Sequence, residues 1–378
     1  MKTEKLYDID SHLKSFSATV LSCDYENEKY SVILDKTAFF PEGGGQSSDK
    51  GEIDGIEVFD VQIKDGVIYH FTLSAVEPGK TVKCSIDFER RFSFMQNHSA
   101  EHICSGIIHS KYGYDNVGFH LGEDFVTLDF NGMFCREQLD EIELEANKKI
   151  WQNVKFKAYY PDDATLSKLE YRSKKELEGD IRIVEIEDTD ICACCAPHVN
   201  SACEIGIIKL LDTEKMRNGT RITMKAGGFA LSDYRNKYLN SSKISNYLSC
   251  KHEETAHFTN ELLKKTDKQK YDISKLKKKI IDLIISSSNG NKSLFLEEEL
   301  DIKELQLLAD GLHKAYGGLK AAFSGKDGLY NFAICAKEQD LNEFFGKFKN
   351  ELNVRGGGRN GMVQGTVFEN MEKIKLYF

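Results

Sequence analysis

The sequence predicts a mixed α+β protein of several domains: a small N-terminal β-barrel, an α+β domain, a long helical segment with a partial coiled-coil seam, and a small C-terminal α/β domain. Three observations support this prediction. Short alternating apolar segments fill the first ninety residues, a helical pattern runs for some fifty residues after about residue 232, and short strands and helices alternate after residue 289. A chain of 378 residues can form two or three domains that each bury their own core.

The composition is that of an ordinary globular protein, with 40% hydrophobic and 29% charged residues. The N-terminus has no apolar segment of the signal-peptide type, and no apolar run approaches membrane-spanning length. Ten cysteines, clustered along the chain, are more typical of thiols and a metal in a reducing compartment than of a disulfide framework. We therefore expect a cytoplasmic protein that does not associate with membranes.

Residues 1–90 are predicted to form the barrel, because segments such as 30–34 and 66–71 alternate and are separated by turns that contain Gly and Asp. Within this region Gly43, Gly44 and Gly45 follow one another. Three consecutive glycines remove every side chain, so a ligand can approach the backbone and amide groups can point outward. A tight turn is the simpler explanation of three glycines taken alone.

Residues 91–240 are predicted to form the α+β domain around a pair of histidines. His98 and His102 are four residues apart, and the apolar residues Ile103, Ile107 and Ile108 follow at helical spacing. On a helix the two imidazoles therefore lie one turn apart on the same face, where both can reach one cation. A single pair with this spacing often arises by chance.

Cys194 and His198 form a second pair with the same spacing. Three imidazoles and a thiolate suit zinc better than any hard cation, and the presence of both pairs in one chain favours a metal site. The sequence therefore predicts one zinc ion per chain, bound by His98, His102, Cys194 and His198. The choice of cysteine stays open, because other cysteines lie close by: Cys192, Cys195 and Cys203.

Residues 241–288 are predicted to form a long helix or a helical hairpin, whose second half carries an apolar stripe at coiled-coil spacing: Ile273, Leu276, Ile280 and Leu283. Residues 289–378 are predicted to form the C-terminal α/β domain. Asp301 and Glu304 have the spacing of a capping box that opens a helix. The glycine-rich stretch 356–365 is predicted to be a loop whose backbone, beside Arg355 and Arg359, could bind phosphate or ribose.

The net charge of −9 argues at first against nucleic acid as a partner, but the charge is unevenly distributed. Residues 241–378 carry 22 Lys and Arg against 19 Asp and Glu, a net charge of +3. Residues 264–279 contain eight lysines, among them Lys275 and Lys278. Such a stripe can contact phosphates, although on charge alone a solvated helix face is the simpler explanation.

Taken together these segments resemble the long form of the free-standing alanyl-tRNA editing proteins, which are relatives of the editing and C-terminal domains of alanyl-tRNA synthetase. The resemblance covers essentially the whole chain in order, and it rests on several motifs: FFPEGGGQ at 39–46, HSAEH at 98–102, VGFHLG at 117–122, the Cys/His loop at 194–198, RITMKAGGFAL at 221–231 and GGGRNGMVQG at 356–365. One departure is the loop that contains Cys194, which reads Cys-Cys-Ala-Pro-His where the family has Cys-Gly-Gly-Thr-His.

The resemblance implies a trans-editing hydrolase that deacylates mischarged tRNA(Ala), chiefly Ser-tRNA(Ala), with glycine as the other candidate amino acid. It implies that Thr37 senses the seryl hydroxyl and that Gln46, with Gly43, Gly44 and Gly45, lies near the 3′ end of the tRNA. The partner would be the acceptor end of tRNA(Ala). The basic helix and the 356–365 stretch would then face tRNA or form the contact of a homodimer.

Two alternatives remain open at this point. Residues 98–102 also fit the H-x-x-E-H pattern of inverted zinc peptidases, in which Glu101 would activate water. Four protein ligands would alternatively make a closed structural zinc site in a non-catalytic, tRNA-binding module.

Overall fold

The computed structural model describes residues 2–173, 181–326 and 328–378. The chain forms two compact units, Met1–Asn240 and Ser241–Phe378, and each combines helices with β-sheets. The prediction of a mixed α and β protein of several domains is therefore confirmed. Among the described residues no helix is long and apolar enough to cross a membrane.

The first part of unit one is almost entirely β-structure. Its elements are β1 (Glu4–Lys5), α1 (Leu6–Ile9), β2 (Ser15–Glu26), β3 (Lys29–Leu34), β4 (Lys36–Thr37), β5 (Gly51–Ile53), β6 (Ile56–Lys64), β7 (Val67–Thr72) and β8 (Thr81–Ile86). Six strands close into a barrel in the order β2-β3-β7-β6-β5-β8. Alternate residues of each strand point inward, as in β8, where Val82, Cys84 and Ile86 are buried between exposed neighbours.

The remainder of unit one contains two further sheets and the helices that cover them. Its elements are α2 (Phe88–Tyr112), β9 (Asn116–Leu121), β10 (Val126–Phe130), α3 (Arg136–Gln152), β11 (Phe156–Tyr159), α4 (Asp163–Leu166), β12 (Ile183–Ile186), β13 (Asp190–Ala193), β14 (Ile208–Met216), β15 (Gly219–Ala226) and α5 (Gly227–Leu248). The larger sheet has the order β14-β15-β10-β9, and the smaller one has the order β11-β12-β13. Helix α2 carries His98 and His102, as predicted.

Unit two contains a five-stranded sheet of order β16-β17-β18-β20-β19. Its elements are α6 (Thr255–Ser287), β16 (Leu294–Leu296), α7 (Ile302–Tyr316), β17 (Lys320–Lys326), β18 (Leu329–Cys335), α8 (Glu338–Glu351), β19 (Val354–Arg359), β20 (Met362–Val367) and α9 (Met371–Lys375). The predicted capping box is present, with Asp301 accepting a hydrogen bond from the backbone N–H of Glu304.

The structure corrects the prediction of a loop at 356–365. This stretch forms the β19–β20 hairpin, in which Gly356 pairs with Gly365 and Gly358 with Val363. A Cβ at Gly356 would lie 2.3 Å from the carbonyl oxygen of Gln364, so these glycines allow two backbones to approach closely. Much of the backbone that was expected to bind phosphate is therefore paired within the sheet.

The fifty-residue helical stretch is divided into α5 and α6 by residues 249–254. The stripe of Ile273, Leu276, Ile280 and Leu283 is 51% to 66% exposed in the single chain. Helix α6 instead packs through a face that includes Ile281, which is buried in a cluster with residues of α7. The predicted seam has no partner within the described residues.

Helix α2 is fixed to the barrel by a buried ion pair. Arg91, in the first turn of the helix, is fully buried and binds both carboxylate oxygens of Asp49. The same guanidinium donates hydrogen bonds to the carbonyl oxygens of Ala38, at 2.6 Å, and Ser11, at 3.2 Å. Every group of this pair is satisfied, so removal of one partner would leave a buried charge uncompensated.

We predict that Arg91→Met lowers the free energy of unfolding by about 3–5 kcal/mol, because Asp49 would stay buried without its counter-charge. Urea denaturation measures this change. Arg217→Met is the matched control, since Arg217 is exposed, and it should change the stability by less than about 0.5 kcal/mol. Equal effects of the two substitutions would contradict the assigned role of the pair.

Candidate metal centre

Four predicted ligands meet at one point in unit one. The donor atoms of His98, His102, Cys194 and His198 all lie within 4.8 Å of one another. The Cys194 Sγ atom is 3.6 Å from His98 Nε2 and 3.4 Å from His198 Nε2. The three histidines are buried. This donor set has the composition and the spread of a tetrahedral zinc site.

The orientation of His98 is fixed by the glycine-rich loop. Its Nδ1 atom lies 2.9 Å from the side-chain oxygen of Gln46. Because an amide oxygen can only accept, Nδ1 carries the proton and Nε2 keeps a lone pair directed toward Cys194. Gln46 therefore sets the tautomer that a metal ligand needs.

His198 is held by a residue of helix α2. Its Nδ1 atom lies 3.0 Å from Ser99 Oγ, which also accepts a hydrogen bond from the backbone N–H of Val199. Ser99 lies between the two histidine ligands of α2, so this hydroxyl links the helix directly to the Cys/His loop. The third histidine, His102, has its Nδ1 atom 3.5 Å from a carboxylate oxygen of Asp190.

The Cys/His loop follows β13 and is fixed by Arg182. This guanidinium donates hydrogen bonds of 3.0 Å and 2.9 Å to the carbonyl oxygens of Cys194 and Ala196. It also forms an ion pair with Asp8, at 3.1 Å. The loop can therefore present the thiol and His198 in one fixed arrangement although its sequence differs from the family pattern.

The protonation states of Cys194 and His198 favour metal binding, and that of His102 does not. Burial alone would raise the pKa of Cys194, but His98 and His198 lower it well below its usual value. Burial lowers the pKa of His198 to about 3. Burial also acts to lower the pKa of His102, but Cys192, Glu101 and Asp190 outweigh it, so this pKa is well above normal. The Cys194 thiolate and the neutral His198 are already in the states that a soft cation requires, whereas His102 would release a proton when the cation binds.

The structure separates the competing cysteines. Cys194 alone among them joins the three histidines, whereas Cys192 groups with His102 and Asp190. Cys195 is exposed, and a Cβ placed at Gly43 or Gly44 would lie 3.7 or 3.6 Å from its Sγ atom. Cys203 is also exposed and belongs to neither of the two groups.

The glycine-rich segment is a tight turn that packs against strand β9. Gly43 and Gln46 exchange two backbone hydrogen bonds, of 3.1 and 3.0 Å. Gly45 has a φ of +82°, and a Cβ there would lie 2.7 Å from the carbonyl oxygen of Phe119. Only glycine fits both conditions, and the turn brings Gln46 to His98.

Thr37 lies on β4 and is completely buried. Its hydroxyl lies 2.8 Å from His70 Nε2, and His70 Nδ1 lies 3.0 Å from the carbonyl oxygen of Val32. Since that carbonyl can only accept, Nδ1 is protonated, and Thr37 donates to Nε2. The hydroxyl also accepts a hydrogen bond from Phe39 N–H. Thr37 is not among the four clustered donors.

The four basic residues predicted to contact tRNA all lie in unit two and are exposed. Lys275 and Lys278 are on α6, and Arg355 and Arg359 are on β19. The structure therefore does not include them in the metal centre of unit one.

Glu101, the base required by the peptidase hypothesis, is completely buried. One of its oxygens accepts hydrogen bonds from Ser105 Oγ, at 2.6 Å, and from Asn116 Nδ2, at 2.7 Å. This carboxylate therefore belongs to a polar network between α2 and β9, and its other oxygen lies 3.7 Å from His102 Nε2.

Sequence reasoning missed several residues that hold the predicted site residues in place. Ser99, Arg182, Asp190 and His70 carry no motif of their own, and each acts on a residue distant in sequence. Of these residues Ser99 was the easiest to predict from the sequence, because it lies within the HSAEH motif.

Two family models match the chain. The model described as tRNA synthetases class II (A) matches residues 12–90. The model described as the threonyl and alanyl tRNA synthetase second additional domain matches residues 181–223, which include the Cys/His loop.

Individual relatives extend the match over nearly the whole chain. The alanyl-tRNA editing protein AlaX-L of Pyrococcus horikoshii is 29% identical and covers 98% of this chain and 96% of its own length. The chain is thus similar to an alanyl-tRNA editing protein over nearly its whole length. The editing protein Aarsd1 of Rattus norvegicus is 26% identical, covering 94% of this chain and 92% of its own length. The alanine–tRNA ligase of Methanococcus maripaludis is 28% identical over 99% of this chain, which spans 43% of that enzyme.

We predict that His70 makes the stability of the protein depend on pH. Burial lowers its pKa to about 4, from 6.5, so this neutral imidazole contributes stability above pH 6.5 that is lost as the pH falls toward 4. Between pH 7 and pH 5 the loss is about 2 kcal/mol. Urea denaturation at both pH values should show a loss in His70→Gln that is smaller than the wild-type loss by about 2 kcal/mol, because His198, whose pKa burial also lowers, still contributes in both proteins.

His120→Gln is the control for this measurement, because His120 is exposed, and it should keep the wild-type pH dependence. A His70→Gln protein that loses as much stability as the wild type would contradict the prediction.

Proposed function

We propose that the protein is a trans-editing hydrolase that deacylates mischarged tRNA(Ala), chiefly Ser-tRNA(Ala) and also Gly-tRNA(Ala). The observation that carries this proposal is the meeting of three histidines, one thiol and the glycine-rich turn at one buried point. It is supported by the nearly full-length similarity to proteins named alanyl-tRNA editing proteins.

Such an activity is needed because the aminoacylating site of a synthetase cannot exclude every wrong amino acid by binding alone. A pocket built for alanine cannot strongly reject an amino acid that adds one hydroxyl, and it also admits the smaller glycine. A second site that hydrolyses the wrong ester corrects the error. The ester is already reactive, so this site needs mainly positioning, a water molecule and stabilisation of the developing oxyanion.

We infer that one zinc ion per chain is held by His98, His102, Cys194 and His198, since the donors, their burial and their tautomers fit this metal. When bound, zinc supplies Lewis acidity that can polarise a carbonyl group or lower the pKa of a water molecule.

Gln46 can act directly on the substrate. Its oxygen accepts from His98, whereas its Nε2 atom is buried and has no hydrogen-bond partner among the described residues. An unpaired buried amide is costly unless a ligand satisfies it. We infer that this N–H group donates to the ester carbonyl oxygen while water attacks the carbon and the bond to the ribose oxygen breaks.

Thr37 can recognise serine through a lone pair. Its proton is directed to His70, and one lone pair accepts from Phe39 N–H. One lone pair therefore remains, and it can accept a hydrogen bond from the seryl hydroxyl. Glycine has no such donor, so Thr37 would act on serine alone.

The remaining assignments concern the tRNA. We propose that Gly43, Gly44 and Gly45 contact its 3′ end, and that Lys275, Lys278, Arg355 and Arg359 contact its phosphates. The exposed stripe of α6 supports a homodimer through the C-terminal region.

We also propose a finer division of the chain into a barrel domain of 1–90, an editing domain of 91–240, a helical segment of 241–288 and a C-terminal domain of 289–378.

The proposed function is tested by single-turnover deacylation of Ser-tRNA(Ala) and Ala-tRNA(Ala). We expect the wild type to release serine and spare alanine, and His102→Ala and Cys194→Ser to lose both zinc and activity, because each removes a ligand. Cys195→Ser and Cys192→Ser are the matched controls and should keep one zinc ion. A zinc-loaded wild type that deacylates neither tRNA would overturn the proposal.

We predict that Thr37→Val lowers the rate on Ser-tRNA(Ala) about tenfold relative to Gly-tRNA(Ala), since it removes one hydrogen bond made only to serine. Thr37→Ser keeps the hydroxyl and should keep the ratio near that of the wild type. The same single-turnover assay, run on both tRNAs, measures it. Equal losses on both substrates would show that Thr37 is structural.

A further inference from the structure

The three histidines of the centre differ in the group that faces their Nδ1 atom, the ring nitrogen on the side away from the proposed metal. His98 faces a neutral amide and His198 a neutral hydroxyl, at 2.9 and 3.0 Å. His102 faces a charged group, because its Nδ1 atom lies 3.5 Å from Asp190 Oδ2, and both side chains are almost completely buried. A carboxylate on the outer nitrogen of a ligand histidine fixes the ring and makes it a stronger donor.

Asp190 is itself held by Arg172. The guanidinium donates from Nε to one carboxylate oxygen, at 2.8 Å, and from Nη2 to the other, at 2.6 Å. This bidentate geometry fixes the plane of the carboxylate. Asp190 also begins β13, the strand that leads to Cys194, so one short segment supplies both the thiol and the group that faces His102.

A second interpretation of the same residues is a separate cation site, because donor atoms of His102, Asp190 and Cys192 also lie within 4.8 Å of one another. Two observations oppose it. Both oxygens of Asp190 are already bound by Arg172, and the positive charge of that guanidinium would repel a cation.

We propose that Asp190, held by Arg172, is a positioning residue that orients His102 through Nδ1, so that Nε2 is available to the metal. This inference rests on the proposed zinc centre and identifies a group outside the four ligands on which its affinity depends.

The test measures zinc affinity of the full-length protein by competition with a chromophoric chelator. Asp190→Asn should bind zinc about 10- to 100-fold more weakly than the wild type. Asp188→Asn is the matched control: Asp188 is exposed, lies in the same turn and has a φ of +48° that Asn tolerates. It removes the same charge and should keep the wild-type affinity.

A second readout separates orientation from general damage. Cobalt(II) replaces zinc as a spectroscopic probe, and its ligand-field absorption should change in Asp190→Asn and stay unchanged in Asp188→Asn. Because Asp190→Asn leaves Arg172 unpaired, the double variant Arg172→Gln/Asp190→Asn removes both charges. It should fold, as judged by urea denaturation, and still bind zinc weakly.

Three outcomes have distinct meanings. Zinc affinity of Asp190→Asn within twofold of the wild type would overturn the positioning role. Two zinc ions per wild-type chain, one of them lost in Cys192→Ser, would overturn it in favour of the second cation site. A wild type that binds no zinc would instead overturn the proposed centre itself, together with the inference that depends on it.

Discussion

Three imidazole rings and a thiol share a site that is almost closed to water, and every polar atom there must find a partner. The surrounding structure supplies such partners from several directions, although Gln46 Nε2 has none among the described residues. The glycine-rich turn contributes Gln46, helix α2 contributes Ser99, and the start of β13 contributes Asp190. His98 and His198 thus have a hydrogen-bonding group at Nδ1, and His102 Nδ1 faces a carboxylate oxygen at 3.5 Å. The opposite ring nitrogens can then converge. These three elements are far apart in the sequence, so the fold has to place them next to one another.

The positions of the helix and the loop depend on two buried arginines. Arg91 joins the first turn of α2 to the barrel through Asp49, and Arg182 holds the carbonyl groups around Cys194. Both guanidiniums satisfy several acceptors at once, as their planar group of donors allows. The substitution of Ala-Pro for the family's Gly-Thr before the final histidine is therefore compatible with the same placement of donors.

The sequence was informative where chemistry follows a short spacing. The i, i+4 separation of His98 and His102 and of Cys194 and His198 predicted four donors that the structure brings together, and alternation predicted the strands of residues 1–90. The resemblance named Gln46, but the sequence did not indicate its contact with His98 or that of Asp190 with His102, because these partners are distant in the chain. The glycines at 356–358 were misread because loops and closely packed strands both need residues without a Cβ. The apolar stripe of α6 was identified, but periodicity does not say whether its partner is in the same chain.

The centre also joins two segments that are far apart in the chain, since Cys194 and His98 are separated by 96 residues. An ion bound by both of them closes a long loop, much as a disulfide does, and a covalent link across about 100 residues restricts the unfolded chain by roughly 4–5 kcal/mol. The same ligands would thus act as a reversible cross-link. If the centre holds zinc as proposed, a shortage of zinc would lower the folded fraction of the protein, and metal supply would then affect how much of it survives proteolysis.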